Sequence, residues 1–172
     1  KGVYASQYLT PDHTARQMAA LAMRYFDNDS RIVDACCGTG QLTRALLLEG
    51  VHPSAILGFD ADAELVDLYE RLYPDAAALR MQFREIDFHC ENVIANPPFE
   101  VPECTVFLQW LSRIQCSGDR AVLLLPSGFI DKQRPRSVQE TMRHFIVHHR
   151  IPMQEPFART NCRAEIVMLE RV

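Results

Sequence analysis

Residues 31–50 read RIVDACCGTGQLTRALLLEG. The apolar start of this stretch predicts a short strand that ends at Asp34, and residues 41–49 predict a helix. The loop between them contains Gly38 and Gly40, which let the backbone pass close beneath a ligand, while the following helix presents its free N–H groups. A strand, a glycine loop and a helix in this order indicate a ligand site at the carboxyl end of a strand.

The glycine loop lacks both common phosphate-binding patterns. The GxxxxGK[ST] sequence is absent, and Thr43 stands where the third glycine of GxGxxG would be. An acidic residue, Asp34, precedes the loop. This combination suits a ligand that is cationic or rich in hydroxyl groups better than an anionic one.

Strands and helices alternate along the rest of the chain. Thr10-Pro11-Asp12 predicts a helix start with Thr10 as its N-cap. We predict helices over about 15 residues from there and over residues 41–49, 63–73, 105–114 and 137–148. We predict strands over residues 31–34, 54–60, 81–86, 93–95 and 121–125, and two more that bracket residues 159–163 as a hairpin. This order predicts an α/β fold: a mostly parallel seven-stranded sheet with helices on both faces and a C-terminal antiparallel hairpin.

Two more predicted strands end in an acidic residue. Asp60 closes the second strand, 26 positions after Asp34, where a carboxylate can accept hydrogen bonds from both hydroxyls of a ribose. Asp87 closes the third predicted strand and Phe88 follows it, so that an acceptor and a ring could hold the edge and face of an adenine. The alternative for each acid is a loop residue that caps a helix or a turn.

Residues 96–99, Asn-Pro-Pro-Phe, fit a specific chemical problem. An amine conjugated to an aromatic ring is a poor nucleophile, because its lone pair is delocalised into the ring. The side-chain oxygen of Asn96 and the carbonyl of Pro97 can accept its two hydrogens, and the rings of Pro97 and Pro98 restrict the backbone that holds both acceptors. Phe99 offers a flat face to a planar base. The alternative is a proline-rich turn at the end of a strand.

These motifs resemble those of a known family. Residues 34–40, DACCGTG, resemble the S-adenosylmethionine-binding loop of class I methyltransferases, and residues 96–99 resemble the catalytic motif of those that methylate the exocyclic amine of adenine. Residues 6–11, 122–129 and 157–161 are similar to further segments of adenine-specific DNA methyltransferases. The resemblance implies a Rossmann-like class I methyltransferase fold and S-adenosylmethionine as the cofactor.

The resemblance also implies a role for each matching residue. The residues implied to bind the cofactor are Tyr8, Thr10, Pro11, Asp34, Gly38, Gly40, Asp60, Asp87 and Phe88. The residues implied to act on the target base are Asn96, Pro97, Pro98 and Phe99. No metal is implied.

The implied activity is methyl transfer to adenine in DNA. Within the same class, RNA adenine or a protein glutamine could be the acceptor. From a different class, the chain could be a non-catalytic, methyltransferase-like module of a larger DNA-processing protein. A nicotinamide-dependent oxidoreductase fits less well, because the glycine pattern is wrong for it and residues 96–99 would be unexplained.

The net charge, the cysteines and the apolar stretches of the chain indicate which partners and which cellular compartment to expect. The net charge of −4 disfavours nonspecific nucleic-acid binding. Cationic residues between Lys132 and Arg150 predict either a local phosphate-contacting edge or a solvated helix face with a basic loop. The six cysteines show no CxxC or Cys/His metal spacing, so we expect small buried residues in a reducing compartment, the cytoplasm. No stretch approaches the ~20 apolar residues of a transmembrane helix.

We expect residues 1–172 to form a single catalytic domain, since no Pro-, Gly- or Ser-rich linker interrupts them. The chain starts without Met, so we expect it to be processed, trimmed or cut from a longer protein. The expected partner is nucleic acid, DNA in the first place, as in restriction-modification enzymes. Such enzymes usually carry a target-recognition domain, so we expect a separate specificity subunit or a flanking domain to choose the sequence.

Overall fold

The computed structural model describes residues 8–131, 135–158 and 160–172. The expectations for Ser6, Gln7, Lys132, Arg134 and Arg159 therefore lie outside the described residues. The helices are α1 (Asp12–Tyr25), α2 (Gln41–Leu48), α3 (Ala63–Leu72), α4 (Val101–Ile114) and α5 (Arg136–Met142). The strands are β1 (Ile32–Ala35), β2 (Ile56–Asp60), β3 (Ala77–Arg80), β4 (Asn92–Ala95), β5 (Arg120–Pro126), β6 (Phe145–Pro152) and β7 (Ala164–Arg171). Two short 3₁₀ helices cover Pro53–Ala55 and Phe83–Glu85.

One seven-stranded sheet organises the described chain, in the order β3-β2-β1-β4-β5-β7-β6. The pairs from β3 to β5 are parallel, while β7 runs antiparallel to both β5 and β6. The predicted α/β fold with a C-terminal antiparallel hairpin is confirmed. Because the strand order reverses between β1 and β4, the crevice at their carboxyl ends is the expected ligand site.

The core forms two layers, one on each face of the sheet. In β5, Leu123 and Leu125 pack with α4, while Val122 and Leu124 pack with α1 and α2 on the opposite face. All four leucine and valine side chains are fully buried. A central parallel strand covered on both sides reads as a continuous apolar run, and this explains the sequence of β5.

The third strand does not lie where the sequence predicted it. Residues 81–86 were expected to form it, but β3 is Ala77–Arg80 and a 3₁₀ helix occupies Phe83–Glu85. Alanine has a low strand propensity, and β3 is a largely exposed edge strand that its backbone pairing with β2 stabilises. Asp87 therefore does not end a strand of the sheet.

The helix predicted over residues 137–148 is also too long. Helix α5 ends at Met142, and β6 begins at Phe145. The β-branched residues after Phe145 favour an extended backbone, and β6 gains a full antiparallel partner in β7. Helix α4 instead begins earlier than predicted, at Val101.

Among the described residues, no helix combines the length and the apolar character needed to cross a membrane.

Candidate active site

A cleft of about 450 Å³ opens at the carboxyl ends of the parallel strands. Its walls come from the segments that follow β1, β2, β3 and β4, together with the residues just before α1. Eight of the thirteen predicted site residues line it: Tyr8, Thr10, Gly38, Asp60, Asn96, Pro97, Pro98 and Phe99. The other five, Pro11, Asp34, Gly40, Asp87 and Phe88, are not among the lining residues. A cleft of this size can enclose a ligand the size of a nucleoside derivative.

The two glycines of the loop have different roles. At Gly38, with φ +53°, an added Cβ would meet nothing within 4 Å, so the backbone borders open space in the cleft. At Gly40, with φ +86°, an added Cβ would collide with the ring of Tyr73 and press on that of Tyr69. An alanine at position 40 would therefore require the ring of Tyr73 to move, whereas Gly38 leaves room for a ligand.

Asp34 lies beneath the glycine loop and is fully buried. Its Oδ2 accepts hydrogen bonds from the backbone N–H of Thr43 (3.2 Å) and from the Thr43 hydroxyl (2.7 Å), which is also 2.8 Å from the hydroxyl of Tyr69. Burial raises the pKa of Asp34 to about 7, against the lowering effect of the Thr43 hydrogen bonds. Asp34 thus holds the first turn of α2 through Thr43. Because it does not line the cleft, it can affect a ligand only by positioning the glycine loop.

Asp60 joins the end of β2 to the glycine loop. Its Oδ2 accepts from the N–H of Gly38 (3.0 Å), and its Oδ1 accepts from the N–H of Asp62 (3.0 Å). Each carboxylate oxygen has a second lone pair, and the side chain remains half-buried at the cleft. Asp60 can therefore accept hydrogen bonds from a pair of ligand hydroxyls while it holds the loop.

The segment after β3 supplies a wall of the cleft that the sequence analysis missed. Residues 81–84 line the cleft. Asp87 and Phe88, which were predicted to do so, are exposed and are not among the lining residues. Phe88 contacts Phe59 with its ring, at 6.2 Å between centroids, from outside the cleft. Asp87 and Phe88 were predicted wrongly because the third strand was placed too late in the sequence. The residues that follow the observed β3 are the ones at the carboxyl ends of the parallel strands. Of these, Met81 and Phe83 provide the apolar surface.

The cleft is also lined by two cysteines whose thiols stay protonated and are therefore poor nucleophiles. Cys36 and Cys37 both line the cleft. Burial, together with the negative charges of Asp34 and Asp60, raises the pKa of both thiols far above the ordinary range. They act here as small apolar residues.

Asn96 is held with its amide in one orientation. Its Nδ2 donates to the carbonyl oxygen of Tyr8 and to the hydroxyl of Thr10, the latter at 3.1 Å. Its Oδ1 is buried and has no hydrogen-bond partner among the described residues. Because Asn96 lines the cleft, this oxygen can accept a hydrogen bond from a ligand there.

Thr10 is not the N-cap of α1 that the sequence predicted. The N-cap of α1 is Pro11, whose ring cannot cap through a side-chain hydrogen bond. The Thr10 hydroxyl is directed to Asn96 instead of to the helix. The segment before α1 therefore positions the Asn96 amide, and no spacing in the sequence signals this contact across 86 residues.

Three aromatic rings form a cluster beside Asn96. Tyr8, Phe99 and Phe157 contact one another edge to face, with centroid distances of 5.0, 5.6 and 5.1 Å. Tyr8 and Phe99 line the cleft, and the buried Phe157 supports both from behind. This wall places apolar surface next to the unfilled acceptor, as a planar base with an exocyclic amine requires.

The charged lining of the cleft is mostly negative. Arg84 pairs with Glu103, with 2.5 Å between Nη2 and Oε2. Asp60 and Glu100 also line the cleft. The cleft thus favours a ligand with positive charge, in agreement with the sequence-based expectation.

No protein-family model matches this sequence, and no curated protein matches it. Solved structures do. A putative RNA methyltransferase from Pyrococcus horikoshii is 20% identical, with a TM-score of 0.76 over 100% of this chain and 88% of that one. The magnesium protoporphyrin IX methyltransferase from Synechocystis, solved with bound S-adenosylmethionine, is 13% identical, with a TM-score of 0.73 over 94% and 79%.

A structure of the type I R-M system is also similar. It is 18% identical, with a TM-score of 0.75, and the match covers 96% of this chain and 42% of that one. Identities at this level bear on the fold alone. Together, these likenesses show that the chain has the Rossmann-like class I methyltransferase fold.

Proposed function

We propose that the chain binds S-adenosylmethionine in this cleft and transfers its methyl group to the exocyclic amine of adenine in DNA. The observation that carries the proposal is the buried, unfilled Oδ1 of Asn96 at the cleft, beside an aromatic wall. The resemblance of residues 96–99 to the catalytic motif of adenine methyltransferases supports the choice of acceptor.

The residues of the cleft fit the proposed cofactor. Gly38 borders open space, and Asp60 offers free lone pairs for the two ribose hydroxyls. Met81 and Phe83 provide an apolar surface for the adenine ring. The negative charges of Asp60 and Glu100 suit a ligand that carries a sulfonium and an ammonium group.

The proposed reaction depends on positioning. S-adenosylmethionine, when bound, supplies an electrophilic methyl group. Asn96 accepts one hydrogen of the target amine through Oδ1, and the carbonyl of Pro97 accepts the other. These bonds draw the nitrogen lone pair out of conjugation, toward the methyl carbon. Methyl transfer would form the carbon–nitrogen bond as the carbon–sulfur bond of the cofactor breaks, and the amine would then release a proton to water.

The acceptor must leave its base stack to reach Asn96. A flipped adenine costs a few kcal/mol to unstack, and the wall formed by Tyr8 and Phe99 offers apolar contact in return. Sequence choice would come from a flanking region or a partner subunit. The match to 42% of a chain from a type I R-M system is consistent with such an assembly.

RNA is the second candidate acceptor. The similar structure from Pyrococcus horikoshii is described as a putative RNA methyltransferase, and the match covers 100% of this chain. A single-stranded or looped adenine would reach Asn96 at a lower unstacking cost than one in a duplex.

Replacing Asn96 with alanine tests the proposed catalytic role. We expect Asn96→Ala to lower the methyl-transfer rate by about 100- to 1000-fold, since one acceptor of the transition-state hydrogen bonds is lost. Cofactor affinity, measured by calorimetric titration with S-adenosylmethionine, should stay within about threefold of wild type. The control is Asn28→Ala, an exposed asparagine, which should change neither quantity. Undiminished turnover in Asn96→Ala would refute the role, and a wild-type chain without cofactor affinity would favour the non-catalytic module.

A further inference from the structure

We propose that His89, Cys116 and Asp119 form a binding site for a divalent transition-metal ion of the Zn²⁺ type. The three residues lie in the loops before β4 and β5, whose parallel strands place both loops at the same edge of the sheet. The cleft lies at the opposite, carboxyl ends of these strands. The site is therefore separate from the proposed active site.

The side chains of His89, Cys116 and Asp119 come close together at the protein surface. One donor atom of each, the imidazole nitrogen, the thiol sulfur and a carboxylate oxygen, lies within 4.8 Å of the other two. Nε2 of His89 and Oδ2 of Asp119 are 2.6 Å apart. In a tetrahedral zinc site with bonds of about 2.0–2.3 Å, donor atoms are about 3.3–3.8 Å apart. Shifts of about 1 Å in partly exposed side chains would complete that geometry.

A tight turn at residues 116–119 holds two of the three ligands, Cys116 and Asp119, close to each other. The N–H of Asp119 donates to the carbonyl of Cys116 (3.1 Å), and Gly118 between them has φ +93°, as the third position of a type II turn requires. The N–H of Cys116 donates to Oδ2 of Asp119 at 2.6 Å. The turn is anchored to the end of β7, since the N–H of Gly118 donates to the carbonyl of Arg171 at 2.8 Å.

The spacing matches that of metal-binding turns. Residues 116–119 read CSGD, which is the CxxC spacing of zinc sites with an aspartate as the second ligand. His89 adds a third ligand from 27 positions upstream. The cysteine pattern predicted no metal site, because Cys116 has neither a second cysteine at CxxC spacing nor a histidine close to it in the sequence.

The donor set selects the class of ion. Sulfur, imidazole nitrogen and one carboxylate oxygen suit Zn²⁺ and its neighbours, whereas Mg²⁺ and Ca²⁺ prefer oxygen ligands throughout. Cys116 is exposed and can reach a metal. Cys90 follows His89 in the sequence but is buried in the core, so its thiol does not face the exposed site. Three protein ligands leave one position for water or for a ligand from a partner.

The His89–Asp119 pair alone does not account for this arrangement. Exposed ion pairs contribute about 0–1 kcal/mol, and such a pair needs no thiol beside it. The side chain of Asp119 is only 14% exposed, while that of His89 is 45% exposed, so a shielded carboxylate faces two accessible donors. A bound cation would compensate that carboxylate and connect the loop before β4 to the turn before β5.

Zinc titration of the full chain tests the proposal. After treatment with a chelator, the wild-type chain is titrated with Zn²⁺ in competition with a chromophoric chelator, and we expect one ion per chain. Cys116→Ser and His89→Gln should each weaken binding by about 100-fold or more, since loss of even a hydrogen-bond partner of a ligand costs about 10- to 100-fold. The matched control is Cys162→Ser, the other exposed cysteine, which should bind as wild type does.

Substitution with Co²⁺ shows by spectroscopy whether a thiolate sulfur is bound to the metal. Wild type and Cys162→Ser loaded with Co²⁺ should show the near-ultraviolet charge-transfer band of a cobalt–thiolate bond, and Cys116→Ser should lack it. Zn²⁺ should also raise the thermal midpoint of wild type but not of Cys116→Ser. The proposal is overturned if wild type binds no stoichiometric Zn²⁺, if Cys116→Ser binds like wild type, or if Cys162→Ser loses binding equally.

Discussion

At the level of single residues, the orientation of Asn96 depends on the segment before α1. The carbonyl of Tyr8 can only accept a hydrogen bond, so it must face Nδ2, and Oδ1 is left as the unfilled acceptor. The direction in which the Asn96 amide points is thus set by residues 88 and 86 positions away in the sequence.

Thr10 is a positioning residue in this account. Thr10→Val removes the acceptor that lies 3.1 Å from Nδ2 of Asn96. We expect kcat to fall by about fivefold to tenfold, the effect of one neutral hydrogen bond, with a smaller change in KM for the nucleic acid. Steady-state kinetics measure the split, and Thr10→Ser, which keeps the hydroxyl, should restore kcat. A loss in Thr10→Ser equal to that in Thr10→Val would contradict the hydrogen-bond role.

At the level of elements, the junction of β1 and α2 contains a buried acid whose state depends on pH. Burial raises the pKa of Asp34 from 3.8 to about 7. The unfolded chain therefore loses this proton at lower pH than the folded chain does. The contribution to stability is full below about pH 4 and is lost as the pH rises toward 7, with a slope of at most about 1.4 kcal/mol per pH unit.

Asp34→Asn tests this linkage, because an amide does not ionise. We expect the fall in the free energy of unfolding between about pH 4 and 7 to become shallower in Asp34→Asn. Urea unfolding across that range measures it, and Asp75→Asn, at an exposed position, should keep the wild-type slope. Equal slopes in wild type and Asp34→Asn would show that the group is ionised in the folded chain.

The glycine loop allows a matched test of close packing. Gly40 and Gly50 have nearly the same φ, +86° and +91°, but only Gly40 has a ring, that of Tyr73, where a Cβ would lie. Gly50→Ala should cost about 1–2 kcal/mol of stability from backbone strain. Gly40→Ala should cost about 1–3 kcal/mol more, because the α3 packing must shift. Equal costs in urea unfolding would show that Tyr73 moves aside freely.

The sequence predicted the elements whose signals are local. The apolar run of β5 and the motifs at residues 34–40 and 96–99 led to the right strands and to five of the lining residues, Gly38 and residues 96–99. The edge strand β3 was missed because cross-strand pairing, rather than composition, stabilises it. Contacts between distant segments, such as Thr10 with Asn96, could not be read from spacing at all.

The cysteine prediction shows the same limit. Three of the six cysteines are buried as expected, but Cys116 and Cys162 are exposed, and all six are free thiols. The turn that exposes Cys116 depends on Gly118 and on its anchoring to β7. That anchoring is a tertiary contact with no local signal.

At the level of the whole molecule, three described residues of the predicted basic edge contact acidic side chains. Arg136 pairs with Glu140, and His148 contacts Glu170. Arg150 pairs with Glu165 and Asp131, and these hydrogen bonds raise the pKa of its guanidinium. Together with the net charge of −4, these contacts disfavour nonspecific nucleic-acid binding by bulk electrostatics.

The proposed function is decided by the chemical identity of the methylated product. The chain is incubated with methyl-labelled S-adenosylmethionine and, in parallel, with DNA, RNA and protein, and the products are hydrolysed and separated. We expect label in N6-methyladenine from DNA, and about 100- to 1000-fold slower labelling with Asn96→Ala. Label confined to RNA or protein, or at any atom other than the exocyclic amine, would contradict the claim.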